Sequence, residues 1–88
     1  MLFKKKKDPL KTYVKDNLDS GLKKMIIDGL IDMNSSLAGV HVSNYIGHMK
    51  KSYVKSAAML SIHYSVSYPE VLKKIDETVE EFNNQWLK

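Results

Sequence analysis

The sequence predicts an all-α fold, a small bundle of three to four helices, and three observations lead there. Apolar residues recur in three- and four-residue steps over most of the chain. Punctuation is sparse, with two prolines and four glycines in 88 residues. The one run with strand-like alternation, 60–68, has no second run of equal quality to pair with, and a lone strand leaves its backbone groups unsatisfied. The alternative is an α+β fold with a strand at 60–68. At 10.1 kDa the chain is expected to form one domain, 9–88, preceded by a basic flexible tail, 1–8. A chain of this size buries only roughly 60–65% of its unfolded surface, so its core is modest.

The first helix is expected over about 9–35. Asp8 suits the cap and Pro9 the first helical position, where its missing N–H costs nothing. Leu10, Val14, Leu18, Leu22, Met25, Gly29 and Met33 keep one helical phase, with Asp19-Ser20-Gly21 marking a site for a kink near 19–21. Gly21-Leu22-x-x-Met25 is echoed by Gly29-Leu30-x-x-Met33. The echo is either chance or a pair of glycines that admits another helix at close range. Asn34 to Gly39 is the clearest breaker.

The second helix is expected over 43–67, capped by Ser43 or Asn44, with a stripe of Tyr45, Ile46, Met49, Tyr53, Ala57, Leu60 and Tyr64. As helix, residues 57–68 are apolar nearly all round and call for burial on several sides. Tyr68-Pro69-Glu70 ends that element and starts the last, 69–87. There Leu72, Ile75, Val79, Phe82 and Trp86 form a heptad seam. Glu70 with Lys74 and Lys73 with Glu77 have the spacing of helical ion pairs, and Asp76, Glu77, Glu80 and Glu81 make an acidic outer face.

The net charge is +4, and all of the basic residues are lysine. Lysine alone points to diffuse electrostatics or an AT-rich genome, since arginine is the residue suited to bidentate reading of bases and phosphates. Residues 1–24 carry eight lysines against three aspartates, whereas 70–88 are net acidic. Such ends favour antiparallel packing or head-to-tail contacts. Lys4, Lys5, Lys6 and Lys7 read as a solvated tail, able at most to touch an anionic surface at about 1 kcal/mol per lysine. No apolar segment follows them as in a signal peptide, no glycine follows Met1 for myristoylation, and no run approaches the ~20 apolar residues of a membrane span. A cytoplasmic protein is expected.

Several chemistries are disfavoured. Without cysteine there is no disulfide scaffold, thiol nucleophile or thiolate metal site. His41 and His48 on one helix would stand ~10.5 Å apart, too far to share one metal ion. Asp28 and Asp32 supply too few oxygens for a calcium cage, and Lys24 stands four residues before Asp28. No serine lies in Gly-x-Ser-x-Gly, and phosphate-binding glycine loops are absent. The expectation is no enzyme, no cofactor and no metal.

What remains is surface. Met59, Ile62, Val66, Tyr68 and Trp86 are the candidate interaction residues, because a large indole near the chain end packs on the first helix or across an interface. One copy is not expected to cover its apolar surface, so a homodimer or higher oligomer is expected. The leading function is a small non-catalytic protein-binding regulator: an adaptor, inhibitor or immunity-type protein, with a phage or mobile element as one candidate origin. The second is nucleic-acid binding. Residues 37–55 resemble the turn and recognition helix of a helix-turn-helix module, which implies contacts from Asn44, Tyr45, His48, Lys50, Lys51 and Lys55, assisted by the Lys4–Lys7 tail. The third is an oligomer enclosing a small anionic ligand such as a nucleotide.

Overall fold

The computed structural model describes residues 8–87. Four helices follow one another: α1 (Pro9–Ile27), α2 (Ala38–Lys55), α3 (Ala57–Tyr64) and α4 (Tyr68–Leu87). Among the described residues there is no strand, so the all-α reading holds and the alternative strand at 60–68 is overturned.

α1 begins as its sequence demands. Asp8 is extended, and its carboxylate accepts from the backbone N–H groups of Leu10 at 3.1 Å and Lys11 at 3.2 Å. Leu10, Val14, Leu18 and Leu22 are fully buried, and the helix is unbroken across Asp19-Ser20-Gly21. It stops at Ile27, well short of 35. The reason is Gly29, which takes the left-handed conformation (φ 79°) that lets a helix end in a Schellman motif. Its N–H donates to Ile26 O at 3.1 Å, and that of Leu30 donates to Met25 O at 2.8 Å. Gly29 therefore continues the apolar phase only by coincidence, and the paired-glycine echo divides. Gly29 is a stop; Gly21 is a point of close approach, where a Cβ would collide with the Tyr45 hydroxyl and lie 3.2 Å from its Cζ.

α2 begins at Ala38, five residues earlier than expected, with Gly39 already in its first turn. The break is 28–37 instead, shaped by short polar side chains. Asp32 accepts from Asn34 N–H at 2.9 Å and Ser35 Oγ from Leu37 N–H at 3.0 Å. Ser43 and Asn44 are helix interior, not caps. Two tyrosines of α2 tie it to α1: Tyr45 donates to Leu18 O at 2.8 Å and Tyr53 to Val14 O at 3.5 Å. The later tyrosine meets the earlier carbonyl, so α1 and α2 run antiparallel. Burial raises the pKa of both phenols, Tyr53 the more strongly.

The single helix expected over 43–67 is divided at Ser56 (φ −93°, ψ 6°). α3 then ends at Tyr64, because Ser65 turns left-handed (φ 55°, ψ 45°) and Ser61 grips Val66 with both its carbonyl and its hydroxyl. The alternation at 60–68 is thus one helical turn and a half followed by a turn. α4 starts at Tyr68 and buries Val71, Ile75, Thr78, Val79 and Phe82. Ile75, Val79 and Phe82 of the expected seam are buried, but Val71 takes the place of Leu72, which like Trp86 is only half-buried, and Thr78 is sealed in, donating its hydroxyl to Lys74 O at 2.7 Å. One hydrophobic cluster draws on all four helices.

Charge complementarity is realised within the chain. Lys11 reaches Glu77 at 3.7 Å and Glu81 at 3.3 Å, Lys50 pairs with Asp76 at 2.7 Å, and Lys74 pairs with Asp8. Asp8 meets Lys74 and Lys11 meets Glu77 and Glu81, so α1 and α4 run in the same sense where they touch, not antiparallel. Glu77 is met by Lys11 and not by Lys73. Among the described residues no helix is long and apolar enough to cross a membrane.

Candidate interaction surface

Two apolar surfaces remain once the core is closed. The first is built where α1 hands over to α2. Ile27 ends α1 on its outer side, the Gly29 turn places Leu30 outward, and the start of α2 adds Leu37 and Val40, all exposed. Between the end of α1 and the outer side of α2 lies an open cleft of about 490 Å³. Met25, Ile31, Tyr45 and Met49 make its apolar walls, while His41, Asn44 and His48 place polar groups along one rim. From Met33 to Met49 the sequence carries no charged residue. The methionines matter here, since unbranched thioethers reshape to fit a guest.

The second surface is convex. α3 buries Ala57 and Leu60 but leaves Met59 73% and Ile62 82% exposed, one turn apart on its outer side. Beside Met59 is a notch of about 240 Å³ shared with Tyr13, His63 and Tyr64. Tyr13 and Tyr64 stand 6.1 Å apart, and His63 meets Tyr64 edge-on at 4.7 Å. From Ser56 to Pro69 there is again no charged residue.

The sequence-derived interaction residues separate accordingly. Met59, Ile62 and Tyr68 are exposed, whereas Val66 and Trp86 pack against the core. Trp86 leans on Phe82 with ring centroids 6.1 Å apart, and its indole N–H has no acceptor among the described residues. The expectation that 57–68 is buried on several sides fails for α3, because a helix of two turns packs by one side only.

The residues named for nucleic acid separate too. Tyr45 is buried and committed to α1, and Lys50 to Asp76. Asn44, His48, Lys51 and Lys55 are exposed and follow one line along α2. The turn expected around Gly39 does not form: 38–55 is continuous helix, preceded by a ten-residue connection at 28–37, longer than the short turn of a helix-turn-helix. Lys4, Lys5, Lys6 and Lys7 lie outside the described residues. Asp28 pairs with Lys24 at 3.0 Å, and no group of three metal-ligating His or acidic side chains occurs among the described residues.

The exposed aliphatics at 27–40 were not singled out by sequence. Part of their signal was present in Gly29, whose left-handed turn ends the helical phase and takes Leu30 and Met33 out of the expected stripe. Taken together, fold and surfaces define a small helical bundle with one concave and one convex apolar face. No protein-family model, curated protein or solved structure matches the chain.

Proposed function

We propose that this protein is a non-catalytic protein-binding regulator, of adaptor, inhibitor or immunity type, that receives an apolar helical segment of another protein in the cleft between α1 and α2. The observation that carries the reading is the cleft itself. Its walls are thioether, aliphatic and phenol ring, and its rim offers imidazoles and an amide. A helix docked by its apolar face would set two or three anchors on the walls and its flanking polar groups on the rim. The adjacent exposed Ile27, Leu30, Leu37 and Val40 would extend that contact. Origin in a phage or mobile element and a cytoplasmic setting belong to the same reading and rest on composition alone.

The test is affinity capture by the wild type and by Leu30→Lys and His48→Glu variants. The expected result is one stoichiometric protein held by the wild type and lost from both variants. An identical captured set for all three would overturn the reading.

A second reading, nucleic-acid binding, is favoured by the exposed line of Asn44, His48, Lys51 and Lys55 on α2. It expects a gel shift at about 50 mM salt that fades steeply by about 200 mM, as counterion release requires. Lys51→Glu with Lys55→Glu should abolish that shift.

A further inference from the structure

We infer that α3 is a self-association surface on which a second copy of this chain docks, helix against helix, antiparallel about a twofold axis. Shape separates this face from the cleft. An isologous contact requires a patch complementary to itself. A cleft facing its own image encloses a void, whereas a convex helix ridge interlocks with an identical one by ridges and grooves. α3 is that ridge: Ala58, Met59, Ile62 and His63 make its exposed side. Turned about a twofold between them, Met59 meets Ile62 of the second copy and Ile62 meets Met59, with small Ala58 letting the backbones approach.

Charge decides both the occupant and the direction. The described residues carry nine lysines against ten acidic side chains, so the folded body is close to neutral and does not repel its own copy, and a helix flanked by one charge of each sign is complementary to itself. The fourteen uncharged residues from Ser56 to Pro69 are bracketed by Lys55 and Glu70. Lys55 makes no ion pair among the described residues, and Glu70 only a long one with Lys74 at 3.9 Å. Antiparallel docking turns each Lys55 toward the end of the other copy that carries Glu70. Parallel docking would set lysine against lysine.

The face is short, below the ~800 Å² per partner of a standard interface, so pairing is expected at micromolar concentrations and not below. The inference does not rest on the cleft reading.

Sedimentation equilibrium over a micromolar-to-millimolar series tests it. The weight-average mass is expected to rise from 10.1 kDa to twice that value and stop. Ile62→Asp and Met59→Asp should each weaken self-association at least tenfold with an unchanged helical circular dichroism spectrum. Lys55→Glu should weaken it, and Lys55→Glu with Glu70→Lys should restore it. The chain has no thiol of its own, so chains with Met59→Cys and with Ile62→Cys can be mixed and oxidised. A 59–62 disulfide is expected in preference to 59–59. A monomer at every concentration, a dimer indifferent to Ile62→Asp, or mass growing past twofold as in head-to-tail assembly would each overturn the inference. Partner capture through the cleft should be indifferent to Ile62→Asp, so failure of one reading is distinguishable from failure of the other.

Discussion

α3 and α4 are neighbours in sequence, joined by Ser65–Ser67, and both are rich in apolar residues, yet their apolar residues do different things. α4 is twenty residues long and strongly amphipathic. It turns Val71, Ile75, Thr78, Val79 and Phe82 inward and an acidic face outward. Lysines from α1 and α2 then close on that face. α3 has eight residues, no charge and room to bury only Ala57 and Leu60. The same hydrophobic effect acts on both, but α4 has a complete set of neighbours and α3 does not. Apolar surface that finds no neighbour inside the chain is available to a second molecule.

The largest expected effect sharpens this contrast directly. Ile75→Ala removes a side chain with no solvent exposure and should cost about 2–5 kcal/mol, a large part of the ~5–10 kcal/mol such a domain holds. Ile62→Ala on α3 removes the same atoms from solvent and should move stability by no more than about 0.5 kcal/mol. Urea unfolding of the two variants measures both, and equal losses would break the comparison.

Next in size is Gly21→Ala. Alanine gains about 1 kcal/mol of helix propensity, but its Cβ must displace the buried Tyr45 ring, at about 1–3 kcal/mol. A net loss near 1 kcal/mol is expected. In a Tyr45→Phe background the hydroxyl is gone, and most of the loss from Gly21→Ala should vanish.

Why some of this was readable in sequence and some not follows from range. α4 and the start of α1 are specified by signals within a few residues: Asp8-Pro9 at one, Tyr68-Pro69-Glu70 and a sustained seam at the other. The end of α1 was misplaced because Gly29 fits both a stripe and a stop, and only its φ of 79° decides. The division at Ser56 has no glycine or proline to announce it. At 60–68 the alternation was real, but a strand needs a partner, and the Ser61–Val66 grip ends the helix locally instead. Met59 and Ile62 are left exposed because α3 offers more apolar sides than a small core can take. Val66 and Trp86 pack against the core through the turn after Ser65 and the docking of α4, which are tertiary facts that no local signal carries. The pairing of Lys11 and Lys50 with α4 spans dozens of residues and left only a bulk charge asymmetry to read.

At about 1 kcal/mol comes the Asp8 cap. Its carboxyl is held below the usual aspartate range first by the Lys74 ammonium and further by the N–H groups of Lys11 and Leu10, against a partial burial that acts the other way. A lowered folded pKa means stability that is present above the unfolded value of ~3.9 and lost as the pH falls through the folded one. The deficit of Asp8→Ala, about 1 kcal/mol at neutral pH, should therefore shrink toward zero in acid. Asp8→Asn keeps the cap and loses the ion pair, so its deficit should be the smaller, about 0.5 kcal/mol. At the alkaline end the signs reverse. Lys74, Tyr45 and Tyr53 all have raised pKa values, so their contributions are complete below about pH 10 and fall away above it.

The smallest effect on folding is the most informative for function. Ile62→Asp places a carboxylate on a position already 82% open to water, so a dilute sample should unfold within about 0.5 kcal/mol of wild type. A contact between copies changes that result with concentration, because anything that binds only the folded chain raises its apparent stability by mass action. The wild-type Tm should climb from dilute to concentrated solution, while that of Ile62→Asp stays level and the two curves meet at the dilute end. If they instead run parallel at all concentrations, Ile62 acts within its own chain, and α3 belongs with α4 as part of the core.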